Sequence, residues 1–451
     1  MRKYIVSLFT GFVIFIFFLP ASAAIPADDD AGTVREYSLD DLISLCFERN
    51  IDIKAAGEKV SAQLAKVRQA KAKSLPGLSF TGVYTHIGVV SRFEMPGFEE
   101  IKFVNPEMLN FSLSLNYTLF DWGMTKDGAA IEKLGLKSQR LSKILMKKAF
   151  ILQVSMLYYN ILQVQDNQVV FSENIRILNE ILDLLKQQFD AGIIPEHQLL
   201  QTRVASQALR ARQLELEKMK DEMTITLKNI SGLPFDSRIG LKKMTGKKEF
   251  IPDDVTALLG RAAAEREDFK LLDLQLSILE KSRAIISKSR LPILSAGLQA
   301  ELRNSIMPDV ERLRTNWNAG LTVIYNIFDR NNAKFGKEAL DHELQALRLN
   351  VKKLKRDVRA NLDTLLTNLK MLDDKLIIEQ ERFDIAKKSL ELARESFKES
   401  QATYLEVLNA RSNYNVAESS LISLKYRKYI NLLQVEFECY PIEYFLTREE
   451  K

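Results

Sequence analysis

Long apolar helices, cysteines and turn-formers are what this chain has little of. After Leu19 no run approaches the roughly 20 apolar residues a helix needs to cross a bilayer. A mature chain that enters a membrane must then do so with strands closed into a barrel, the other structure that satisfies every backbone group in lipid. Only two cysteines occur, Cys46 and Cys439, which excludes a disulfide scaffold. Eighteen Gly and 11 Pro in 451 residues leave little punctuation, so long uninterrupted elements are expected. His86, His197 and His342 are too scattered to share a metal. With no nucleophile-base arrangement and no phosphate-binding glycine loop, the sequence does not read as an enzyme, and no cofactor is expected. Charges of both signs are interspersed, the pattern of solvated helix faces and not of a nucleic-acid partner.

What is present begins with Arg2 and Lys3, an apolar run from Phe12 to Leu19, and Ala21-Ser22-Ala23, which together predict a secretory signal peptide over residues 1–23. Its removal takes the net charge from +5 to +3. No cysteine follows the cleavage site, so lipid attachment there is not expected.

The stretch Asn110 to Gly123 alternates strictly. Phe111, Leu113, Leu115, Tyr117 and Leu119 fall on one side, with Asn110, Ser112, Ser114, Asn116 and Thr118 on the other. Closed by Phe120 and Trp122, it fits a tilted membrane strand of about 9 to 11 residues with aromatics at the interface. A shorter strand pattern precedes it from Leu78 to Thr85. Both return later: one as Leu294 to Arg303, the other as Asn316 to Asn331, with Trp317, Ala319, Leu321, Val323, Tyr325 and Ile327 on the apolar side.

Helices flank both pairs. One runs from a capping box at Ser38 and Asp41 to about Lys73, before Leu75-Pro76; another runs from about Val255 to Leu291-Pro292, an offset of 216. After each strand pair comes a proline-free helix of about 65 residues, about 100 Å long. In the first, Leu157, Ile161, Val164, Gln168, Phe171, Ile175, Leu178, Leu182, Leu185 and Phe189 form a heptad seam. An offset of 208 carries the seam onto Leu365, Leu369, Leu372, Leu376, Glu379, Phe383, Ala386, Leu390, Ala393 and Phe397. Return helices follow the breaks at Gly192-Pro195 and near Ser400. The chain is thus one unit written twice: residues 24–234 and 255–438, a linker at 235–254 and a tail at 439–451. Each half reads as a tall helical hairpin, one limb interrupted, capped by a two-stranded hairpin.

Four strands cannot close a membrane barrel. Two chains would supply eight strands around a filled interior, and three would supply twelve around a channel. A coiled-coil structural or adhesive envelope protein is the rival reading; it accounts for the heptads but not for four alternating strands in duplicate register. A periplasmic adaptor would carry one helical hairpin within β-rich domains.

The Leu-Pro approaches to the strands, the LFDWG and IFDRN exits, the turn Phe189 to Gly192 and the stretch YLEVLNARSNY (Tyr404 to Tyr414) resemble the TolC-like outer-membrane efflux proteins over essentially the whole mature chain. The resemblance implies a mainly α fold with β: duplicated coiled-coil hairpins and four transmembrane strands per chain. It implies a homotrimer with a 12-stranded barrel in outer-membrane lipid and an α-helical tunnel through the periplasm. The implied function is the exit duct of a tripartite efflux or type I secretion system, joined through a periplasmic adaptor (membrane fusion) protein to an inner-membrane pump or ABC transporter.

By the same resemblance, Glu406 and Asn409 fall where the family narrows its tunnel with two acids three apart; only the first is kept. Three copies of Glu406 would make a carboxylate ring favouring cations. The equivalents in the first half are Gln198, with His197 beside it. Adaptor contacts are expected at the tips: Gly192, Ile193, Ile194 and Pro195, then Ser400, Gln401, Ala402, Thr403 and Tyr404. The Ile193-Ile194 pair reads as exposed, and Ser400 in place of glycine implies a differently shaped second turn. Tyr117, Phe120, Trp122, Trp317, Tyr325 and Phe328 are the expected membrane-interface aromatics. The helical ruler puts Cys46 and Cys439 at one depth, leaving a disulfide open beside two free thiols.

Overall fold

The computed structural model describes residues 35–93, 96–97, 101–243, 255–307, 309–399 and 401–446. The expected signal peptide, Ser400 and the last five residues lie outside them. The chain runs β1 (Arg35–Tyr37), α1 (Leu39–Arg49), α2 (Ile51–Ala72), β2 (Gly77–His86), β3 (Arg92–Phe93), β4 (Ile101–Lys102), β5 (Glu107–Phe120), α3 (Met124–Asp190) and α4 (Glu196–Ser231). It continues β6 (Ile239–Leu241), α5 (Val255–Glu265), α6 (Glu267–Lys288), β7 (Ile293–Arg303), β8 (Arg314–Ile324), α7 (Asn332–Lys398), α8 (Tyr404–Cys439) and α9 (Ile442–Leu446).

The duplication holds residue for residue in the helices. Helices α3 and α7 each have 67 residues, α4 and α8 each 36, α1 and α5 each 11, and α2 and α6 each 22. All ten seam residues of α7 are buried or half-buried; in α3 the last, Phe189, is exposed.

The exits from the sheet explain the paired FD motifs. After Phe120, Trp122 and Gly123 both take left-handed backbone (φ 58 and 79), and after Phe328, Arg330 and Asn331 do the same (φ 56 and 62). These turns point the preceding aspartate back at the new helix. Asp121 accepts from the N–H groups of Gly123 and Thr125, and Asp329 from those of Asn331 and Ala333. One carboxylate thus satisfies two orphan donors at the start of each 67-residue helix and complements its dipole.

Where the periodicity predicts one helix on each interrupted limb, there are two. The first breaks at Asn50, whose side chain caps α2 through the N–H groups of Asp52 and Ile53 while its amide donates to Ile230 O at 2.9 Å. The second breaks at Arg266, whose guanidinium donates to Glu438 O at 3.2 Å. Since 230 and 438 are repeat equivalents, the two copies make the same tie with different chemistry. The apolar pattern runs through both breaks, which is why period alone conceals them.

Two hydrophobic cores lie at this level. The first gathers Leu42, Cys46, Val154, Tyr158, Ile161 and Leu227; the second Leu258, Ala262, Leu362, Val435 and Cys439. Both cysteines are free. They share a depth as expected but belong to different cores, so the pairing left open above is not made. Part of the expected linker forms β6, which pairs in parallel with β1, and Tyr158 OH donates to Lys242 O just beyond it. In the described part of the expected tail, Cys439 ends α8, and α9 docks with Ile442 4% exposed.

Four strands form one antiparallel sheet in the order β2-β5-β7-β8. Its register aligns the apolar rows across all four: Leu78, Leu115, Leu298 and Ala319 in one line, Phe80, Leu113, Ala300 and Trp317 in the next. Between them run polar lines such as Ser79, Ser114, Gln299 and Asn318. The fourth strand ends at Ile324, so Tyr325 and Ile327 lie beyond it. Its partner β7 opens at Ile293, directly after Pro292, which has no N–H to extend the ladder.

Candidate functional site

At the lower tips, the two long helices close with one bond in common. Ile193 N–H donates to Gln188 O and Gly192 N–H to Phe189 O, the paired bonds of a Schellman turn, with Gly192 at φ +75. In the second half Gln401 N–H donates to Ser396 O, the repeat equivalent of the first bond, and α8 begins 208 residues after α4. Ser400 itself lies outside the described residues; this bond is kept, and Ala402 N–H adds a second to Ser396 O at 3.2 Å that the first turn does not show.

Glu406 is exposed, but its carboxylate is engaged within its own chain. It accepts from Thr403 N–H at 2.9 Å, while Thr403 Oγ1 accepts from Glu406 N–H, a capping box that starts α8. Asn409 is exposed one turn on. In the first half His197 is exposed, and Gln198 is half-buried with its carbonyl accepting from the Thr202 hydroxyl. Of the isoleucine pair only Ile193 is free, at 71% exposed; Ile194 is half-buried. Pro195 and Gln401 are exposed and Ala402 half-buried. Tyr404 turns inward, edge-on to Phe397 with ring centroids 6.1 Å apart, and burial pushes its phenol up.

Sequence periodicity missed a second seam on α3, facing α8. Gln163 Nε2 donates to Ser423 Oγ at 3.2 Å, the Tyr426 hydroxyl donates to Asp166 at 2.7 Å, and Arg411 reaches Asn174 Oδ1 with two N–H groups at 2.9 and 2.6 Å. Burial lowers the Arg411 pKa, and Arg394 nearby adds to the effect. Among the described residues, Asn167 Oδ1, Asn174 Nδ2, Asn415 Oδ1 and Ser419 Oγ are buried here without a partner. Between hairpins this lower stretch of the contact is polar and incompletely satisfied, whereas nearer the sheet α8 packs Ile430 and Leu433 into the first core and stacks Tyr429 on Tyr159. The seven-residue spacing of Asn167 and Asn174 on a buried face was the available signal.

At the other end, the aromatics fall in two groups. Trp317 lies near the top of β8, opposite Ala300 and Leu113. Phe120, Trp122, Tyr325 and Phe328 gather below, where Phe120 and Trp122 meet edge to face at 4.9 Å and the Trp122 indole donates to Pro292 O at 2.9 Å. Tyr117 stands just above them. From the level of Leu113 to Phe120 is about 24 Å along the strand. All six aromatics are exposed, and among the described residues the apolar sheet face stays largely uncovered: Phe80 is 70% and Trp317 72% exposed. An apolar surface of this extent marks a membrane or partner contact.

A family profile described as outer membrane efflux protein matches residues 42–233 and 258–437. Nodulation protein T of Rhizobium leguminosarum bv. trifolii is 20% identical over 386 residues, spanning 83% of this chain and 79% of its own. Among solved structures, CusC superimposes with a TM-score of 0.74 at 15% identity, covering 92% of this chain and 97% of that one. VceC of Vibrio cholerae gives 0.73 at 14%, covering 89% and 96%. The CmeC outer membrane channel of Campylobacter jejuni gives 0.74 at 18%, covering 89% and 85%. At such identities these structures speak for the fold.

Proposed function

The chain belongs to the outer membrane efflux protein family, and on that premise we propose that three copies build one passive exit duct through the outer membrane, fed from the periplasmic side by an inner-membrane pump through an adaptor. The observation that carries the reading is the sheet. One continuous apolar face spans four strands whose outer edges, β2 and β8, have no partner among the described residues. In lipid each unpaired backbone group costs several kcal/mol, so the edges must meet those of other copies. Three copies give twelve strands, enough for an open channel.

The helices favour the same arrangement. Outside its buried seam, α7 carries a second stripe at seven-residue spacing, Met371, Ile378, Ile385 and Leu392, exposed in the single chain. Helix α4 exposes Val204, Leu214 and Ile225. Matching these faces between neighbours would close a helical tube beneath the barrel. The polar lower stretch of the α3–α8 seam is then the joint that parts when the tip opens, while the apolar contact of Ile430 and Leu433 nearer the sheet stays closed as its hinge. The polar partners exchange for water at small net cost, whereas parting an apolar seam would expose buried area. At the closed tip Glu406 supplies a ring of three carboxylates, with Asn409 above and Ile193 available to the adaptor.

Cross-linking of the detergent-purified protein should give a ladder ending at three, and planar bilayers should show discrete, cation-preferring conductance that Glu406→Ala weakens. A monomer without conductance would overturn the duct, while unchanged selectivity in a trimeric Glu406→Ala would remove that residue's role alone.

A further inference from the structure

We propose that the strand–helix junction of the first repeat binds the anionic phosphate headgroup of a membrane phospholipid, in a cavity of about 470 Å³ between the end of α2, the base of β5 and the start of α3. The inference rests on the reading that the sheet spans the outer membrane. Lys71, Lys73, Lys126 and Lys133 line the cavity. All four are exposed, and none forms an ion pair with a described residue. By contrast Lys288 on α6, in the same collar, is held by Asp127 at 2.6 Å. The carboxylate in the cavity wall, Asp121, is already occupied by the Gly123 and Thr125 N–H groups and the Thr125 hydroxyl. The pocket therefore offers four ammonium groups and little compensating charge.

Its depth fits a headgroup. Tyr117 in the wall belongs to the apolar row of β5, so the cavity begins at the lower margin of the lipid-facing band. Trp122 stands beside it, at the level where tryptophan and tyrosine prefer the membrane–water interface. The repeat supplies an internal control. The equivalent positions in the second copy hold Ser287, Ser289, Lys334 and Asp341, and Asp341 is taken by Arg283. The same backbone thus dispenses with three of the four lysines, and their concentration in one copy is not a demand of the fold. One site per chain follows, three around the duct.

A lysine close to an anionic leaflet strengthens binding about fivefold. The test uses the full-length trimer in detergent, with native mass spectrometry and short-chain phosphatidylglycerol, short-chain phosphatidylcholine and inorganic phosphate as probes. Wild type should hold up to three phosphatidylglycerol molecules, at least tenfold more tightly than phosphatidylcholine, and millimolar inorganic phosphate should not displace them. The variant K71Q/K73Q/K126Q/K133Q should lose that preference by tenfold or more. If it fails to assemble, K71Q/K73Q in the exposed last turn of α2 should still weaken binding severalfold. Equal retention by wild type and the assembled variant, no preference over phosphatidylcholine, or displacement by free phosphate would each overturn the lipid site. Trimer mass and conductance, measured on the same preparations, report separately on the duct.

Discussion

Removing the ammonium of Lys148 should destabilise the middle of the molecule more than most surface changes could. Its Nζ lies 3.3 Å from Glu267 Oε2, both side chains are only 4% exposed, and the same Nζ donates to Tyr440 O. The other oxygen of Glu267 accepts from Ile442 N–H at 2.7 Å. One ion pair therefore joins α3 to α6 and fixes the start of α9. Burial pushes the Lys148 pKa below the ordinary lysine value, with Glu267 acting in the opposite sense. Lys148→Met strands a buried carboxylate, and breaking a buried pair from one side costs about 3–5 kcal/mol. With an unfolding entropy of about 2.1 cal/mol/K per residue, the whole chain has about 0.9 kcal/mol/K, so a 4 kcal/mol loss lowers the midpoint by about 4 °C. The ratio is unchanged if three chains melt together. The double variant K148M/E267Q removes both charges and keeps an acceptor for Ile442, so it should recover to within about 1 kcal/mol of wild type. Helical circular dichroism followed through melting at one fixed scan rate reads both. A single variant within a degree of wild type, or a double variant no better than the single, would refute the reasoning.

Gly232→Ala should cost about 2–4 kcal/mol, because φ is +65 and the new Cβ would stand 2.5 Å from Arg49 Cβ; Gly192→Ala, at φ +75 with open space around it, should cost only about 1–2 kcal/mol, and comparing the two melting curves checks the ranking. Thiol titration should find two free cysteines after denaturation and none reactive at pH 8 in the folded protein, since burial pushes both thiols up to about 11; recovery of a Cys46–Cys439 disulfide would contradict their placement in separate cores. Hydrogen bonds from Ser38 hold the Asp41 carboxyl below its ordinary value. Its contribution, at most about 1 kcal/mol at so exposed a cap, is complete above pH 3.8 and lost as pH falls through the native value. Wild type and Asp41→Ala should therefore differ in stability at neutral pH and converge in acid, and a difference that persisted below that range would rule out the carboxylate as its source.

Most of the architecture was legible because it is written in period and in duplicate. A 208-residue offset recovered from Tyr117 and Tyr325 carries 67- and 36-residue helices onto one another without a slip. Hidden features were those in which polar groups act locally. Asn50 and Arg266 break helices whose apolar faces continue past them, and only the bonded carbonyls of Ile230 and Glu438 reveal the shared purpose. The α3–α8 seam escaped because Asn167, Asn174 and Asp166 look like a solvated face until a second helix is laid against them. At the tip, sequence missed the Thr403 cap that engages Glu406, and it read as exposed an Ile194 that is half-buried.

The two cores lie in the helical body of a single chain, while the sheet has none within that chain. On the proposed three-copy duct, folding divides into a part completed within one chain and a part that waits on other copies. One chain holds the cores of its shaft by itself, but among the described residues its sheet is open at both edges and apolar on one side, and the proposed partners would have to close it. Dilution should therefore trap a species with helices formed and strands unassembled, and overexpression should hazard edge-to-edge aggregation before lipid is reached. On the proposed assembly, making this wall needs an encounter between chains, so its yield should follow their supply.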